Sequence, residues 1–84
     1  MTDELTVMAQ EELNSACSLT WPELKRITPW GDTFEGFAPS GRTVEVERRY
    51  LWALDPEGAN IVEVEVRDAA AREGVEARAI LHAP

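Results

Sequence analysis

RTVEVERRYLWAL, residues 42–54, is the stretch on which the reading of this chain turns. Val44, Val46, Arg48, Tyr50, Trp52 and Leu54 share one parity, while Thr43, Glu45, Glu47, Arg49, Leu51 and Ala53 share the other. Side chains of an extended strand alternate between faces, so this segment builds a strand with one apolar side and one charged side. DPEGAN (55–60) follows, and its Pro56 and Gly58 break the strand. IVEVEVR (61–67) then alternates again, with Val62, Val64 and Val66 against Ile61, Glu63, Glu65 and Arg67.

The two segments are expected to pair antiparallel with their apolar faces together, since a slip of one residue would exchange the faces. Setting Trp52 opposite Val62 also sets Tyr50 opposite Val64 and Arg48 opposite Val66. On the far face it brings Arg49 to Glu65 and Glu47 to Arg67, and opposite charges in such positions help modestly. The inner face then buries Val44, Val46, Tyr50, Trp52, Leu54, Val62, Val64 and Val66. Arg48 is out of place there. Either its stem is covered at the sheet margin with its head in solvent, or it pairs with a carboxylate.

The remaining segments supply what covers this sheet. ELTVMAQEELNSAC (4–17) carries Leu5, Met8, Ala9, Leu13, Ala16 and Cys17 at helical spacing, with Thr2 or Asp3 available as the cap. In SLTWPELKRI (18–27), Thr20 and Glu23 stand at capping-box spacing and Pro22 suits a first turn. A short helix from Trp21 to about Lys25 competes there with a strand over Leu24–Ile27. TPWGD (28–32) is a turn, DTFEGFA (32–38) a strand, and PSGR (39–42) the turn into the central strand. A two-residue loop would set Phe37 beside Val44. A three-residue loop would set Ala38 there and bring Phe34 near Arg48. DAAAREG (68–74) offers one or two helical turns between Asp68 and Gly74, and VEARAIL (75–81) a last strand.

The expected architecture is therefore α+β: an N-terminal amphipathic helix packed on one face of a three- to four-stranded antiparallel β-meander, with residues 1–84 as one small acidic domain. A chain of this length buries roughly 60–65% of its unfolded surface. Such a thin core gains from a second copy of itself, which makes a homodimer one candidate assembly.

Sixteen acidic residues against eight basic ones give a net charge of -8. That balance opposes direct contact with nucleic acid or an anionic membrane and favours a basic protein partner. The lone Cys17 permits no internal disulfide and fits a reducing, cytoplasmic setting. It closes the apolar stripe of its helix, so packing is its expected role.

Little in the chain suggests chemistry. The one histidine, His82, stands near the chain end, where geometry is hard to preorganise. Glu45, Glu47, Glu63 and Glu65 would make a carboxylate cluster, but Arg49 and Arg67 interrupt it. No phosphate loop or calcium-loop pattern occurs, and no cofactor or metal is implied. Trp21, Trp30, Phe34 and Phe37 instead gather in the least regular part of the chain, near Glu23, Asp32 and Glu35. These seven residues are the candidate partner-binding surface, and closure of the core is the competing role for the aromatics. The expected function is a non-enzymatic protein-binding module, an adaptor or inhibitor acting on a basic or nucleic-acid-handling protein. A structural homo-oligomer subunit is the alternative, and an enzyme ranks third.

Overall fold

A computed structural model describes residues 3–83. Two helices, α1 (Glu4–Cys17) and α2 (Trp21–Ile27), precede four strands: β1 (Gly31–Phe37), β2 (Thr43–Trp52), β3 (Asn60–Asp68) and β4 (Glu73–Leu81). The strands pair antiparallel in the order β1-β2-β3-β4, an open meander with β1 and β4 at its edges. The α+β architecture expected from the sequence is the one observed.

Asp3 caps α1 by accepting from the Leu5 N–H, while Thr2, the other expected cap, lies outside the described residues. Leu5, Ala9, Leu13 and Ala16 form the buried stripe of α1, which lies over β3 and β4. Cys17 packs at the end of this stripe, where burial raises its thiol pKa. The core beneath consists of Val44, Val46, Tyr50, Val62, Val64 and Val66, with Leu24 of α2 and Ala38. α2 runs two residues beyond Lys25, to Ile27. Its capping box is complete, with the Thr20 hydroxyl accepting from the Glu23 N–H and the Glu23 carboxylate accepting from the Thr20 N–H.

The parity of β2 and β3 is as expected, but their pairing is displaced by two residues. Trp52 faces Asn60 rather than Val62, Tyr50 faces Val62, and Arg48 faces Val64. On the outer face Arg49 meets Glu63, Glu45 meets Arg67, and Glu47 meets Glu65. Charge does not decide the register: each alternative sets two arginines opposite glutamates, and the observed one accepts the like pair Glu47–Glu65 in addition. The loop and the interior decide it. The Ala53 N–H donates to the Ala59 carbonyl, closing the connection so that β3 begins at Asn60. Asn60 is then fully buried and donates to the Thr28 hydroxyl at 2.8 Å.

Three further expectations are corrected. Leu54 is outside the sheet and 92% exposed, since β2 ends at Trp52. DAAAREG forms no helix. Residues 69–72 make the turn from β3 to β4, with Arg72 at φ 56° and Asp68 accepting from the Ala71 N–H. So short a segment cannot repay helix nucleation, whereas strand pairing from Asp68–Glu73 onward is available at once. In the first hairpin the loop does span three residues, Pro39 to Gly41, but Ala38 pairs with Arg42 and Phe34 with Val46. Gly41 takes the positive φ of 95° that this turn requires.

Candidate protein-binding surface

The seven singled-out residues fall into three groups. Trp21 and Glu23 belong to the start of α2. Trp21 meets Trp52 edge to face, ring centroids 5.9 Å apart, so this tryptophan closes the core. Glu23 is engaged in its capping box, and its hydrogen bonds from Thr20 lower its pKa.

Trp30, Asp32 and Phe34 form the second group, at the inner side of β1. Gly31 brings the strand against β2 so closely that a Cβ there would lie 2.2 Å from the Arg48 carbonyl oxygen. Asp32 consequently sits opposite Arg48, whose Nε donates to Oδ1 at 2.7 Å while Nη2 engages Oδ2. This fork holds the Asp32 carboxyl below its ordinary pKa. The same guanidinium stands 5.0 Å from the Phe34 ring centroid, a cation–π contact, and 3.9 Å from Glu12 of α1. The misplaced arginine of the inner face is thus paired with a carboxylate, and it stands inside the sheet, between Asp32 of β1 and Val64 of β3.

Trp30, 71% exposed, borders an open groove of about 330 Å³ between α2 and β1. Leu19, Ile27, Gly31, Asp32, Arg48 and Tyr50 line the rest of it. No family model, no curated protein and no solved structure matches this chain. Its surface must therefore be read from its own geometry.

Glu35 and Phe37, the third group, share the outer face. Phe37 is 74% exposed, and Glu35 faces Glu45 across the ladder. The aromatics therefore do not make one continuous patch. Trp21 is structural, Trp30 and Phe34 flank the inner margin of β1, and Phe37 stands on the other side of the same strand.

Sequence reasoning missed how much of the acidity is internally engaged. Arg67 contacts Glu45, Glu47 and Glu65, and Arg49 contacts Glu47, Glu63 and Glu76 at 3.1–3.2 Å. Arg67 and then Arg49 hold the Glu47 carboxyl below its ordinary pKa. The would-be carboxylate cluster is thereby filled by guanidinium groups. At the far end, Arg42 Nη1 lies 3.2 Å from both Asp68 and Glu73. Its Nε is 2.8 Å from Glu4, an ion pair whose angle is too poor for a hydrogen bond. Glu4 also accepts from the Ser40 N–H and hydroxyl, which lower its pKa. This knot ties the start of α1 to the β1–β2 and β3–β4 turns.

Proposed function

We propose that this chain is a small acidic protein-binding module, an adaptor or inhibitor that captures an extended basic segment of its partner along the free edge of β1. The observation that carries the reading is the condition of that edge. Among the described residues β1 pairs with β2 alone, all its residues but Gly36 are exposed, and GDTFEGF contains no lysine or proline to discourage strand addition. A segment added there gains main-chain hydrogen bonds, and its alternate side chains reach opposite faces. On one side they meet Trp30 and the groove, and on the other Glu35 and Phe37. The absence of any base between Gly31 and Phe37, with a net charge of -8 overall, favours lysine or arginine in the partner.

The test is titration of the isotopically labelled protein with a peptide of alternating valine and lysine. The expected result is amide shifts confined to residues 31–37 and the groove, weakening as salt is added and reduced by Trp30→Ala. Shifts scattered over the acidic surface with none along β1 would refute the reading.

A further inference from the structure

We infer that the outer edge of β4 pairs with β4 of a second copy, about a twofold axis at Ala77, to give one sheet continuous across two protomers. This rests on the opposite edge of the sheet and is independent of the β1 reading.

Among the described residues nothing pairs with that edge, and its side chains specify a register. Val75, Ala77, Ala79 and Leu81 face the core and are only half-buried, because β4 is the last strand. Keeping both cores on one side requires these positions to face one another across the axis. A twofold at Glu76 would oppose two glutamates, and one at Arg78 would oppose two arginines. An axis at Ala77 sets Glu76 opposite the partner's Arg78 and, by symmetry, Arg78 opposite the partner's Glu76. It also sets Val75 opposite the partner's Ala79. This is the self-complementary pattern that a closed twofold interface needs.

The outer face contains an arginine suited to this use. Glu47, Glu65 and Glu76 stand in one row across β2, β3 and β4, relieved among the described residues only by Arg49 and Arg67. Arg78 is 55% exposed, and among the described residues its one ion-pair contact, with Glu63, is at 3.9 Å. The partner's Arg78 would cap the acidic row directly. Ile80, 53% exposed, would face the partner's Gly74, beside which the stem of Arg67 already lies.

The helices agree. α1 rests over β3 and β4 alike. With strands about 4.8 Å apart, the two α1 axes would lie about 10 Å from each other, which is contact distance for helices. β1 lacks this complementarity, since its charged residues, Asp32 and Glu35, are both acidic.

The experiment is sedimentation equilibrium of the whole chain at micromolar to millimolar concentration, with Glu76→Arg and Arg78→Glu variants measured alone and mixed. Wild type is expected to reach twice the 9.4 kDa chain mass and stop there. Each variant alone places like charges opposite each other and should dissociate about tenfold more readily. The equimolar mixture restores both pairs and should recover the dimer. Circular dichroism confirms that both variants remain folded. A monomeric wild type, a dimer indifferent to both substitutions, a mixture no tighter than its components, or growth past the dimer would each overturn the proposal.

Discussion

Asn60 and Thr28 meet in the dry interior, where the Asn60 Nδ2 donates to the Thr28 hydroxyl at 2.8 Å and that hydroxyl donates to the Leu24 carbonyl at 2.7 Å. The chain of bonds fastens the first residue of β3 to the end of α2. It holds in place the register that hydrophobic parity leaves undecided, and it fixes the helix that walls the groove beside Trp30.

Thr28→Val keeps the shape but strips the buried amide of its partner. The expected loss is about 1–3 kcal/mol, since a buried polar group left unpaired carries its full desolvation cost. In a domain this small each kcal/mol lowers the melting temperature by roughly 4–8 °C. Thr28→Val combined with Asn60→Leu removes both polar groups and should recover part of the loss. Thermal denaturation of Thr28→Val, Asn60→Leu and the double variant checks this. A double variant that loses the sum of the single effects would show that the two side chains act separately.

Stability should also fall on the acid side. Asp32 and Glu47 have folded pKa values held below the ordinary range, the first by Arg48 and the second by Arg67 and Arg49. A carboxylate depressed by folding stabilises the native state above its unfolded pKa, and that contribution disappears as pH drops through the folded value. The melting temperature is therefore expected to hold level above the ordinary carboxylate range and to decline beneath it. Asp32→Asn and Glu47→Gln should each flatten that decline. An acid limb unchanged by both substitutions would contradict the assignment.

What could be read in the sequence follows from what each pattern physically encodes. Alternation in residues 44–52 and 61–67 records which face is dry, and the structure buries Val44, Val46, Tyr50, Val62, Val64 and Val66 accordingly. Alternation has a period of two, however, so a slide of two residues leaves every face unchanged. Charge does not correct the slide either, since both registers set two arginines opposite glutamates and the observed one tolerates Glu47 opposite Glu65. Resolving it needed Asn60 and Thr28, residues far apart in sequence whose pairing has no local signature. The candidate surface was half legible for a similar reason. Trp21 and Trp30 are equivalent as sequence features, and only the position of Trp52 makes one of them core.

The outer charge lattice contributes through Arg67. Without it Glu65 faces Glu47, which keeps only Arg49 among the described residues, and Glu45 faces Glu35 with its own arginine contact gone. Arg67→Gln is expected to cost about 1 kcal/mol at low ionic strength, as a network of exposed pairs rather than one isolated bridge. In roughly 1 M salt the screening length shrinks to about 3 Å, and most of the difference should vanish. Chemical denaturation by urea, which adds no ions, measures both values. A salt-independent cost would assign the role of Arg67 to packing of its stem instead of to charge.

The tryptophans give the sharpest separation of fold from surface. Trp21 packs on Trp52 and the core, whereas Trp30 projects beside the groove and is 71% exposed. Trp21→Ala should cost about 2 kcal/mol or more, because it deletes buried aromatic area and leaves the Trp52 face uncovered. Trp30→Ala should change stability by no more than about 0.5 kcal/mol, the usual range for an exposed site. Binding should respond in the opposite sense. Under conditions where both variants are folded, Trp30→Ala loses affinity for the valine–lysine peptide while Trp21→Ala retains most of it. Denaturation curves and peptide titration on the same two proteins provide the comparison. If Trp30→Ala proved as damaging to folding as Trp21→Ala, Trp30 would belong to the core, and the groove would lose its aromatic border as a place for a partner to dock.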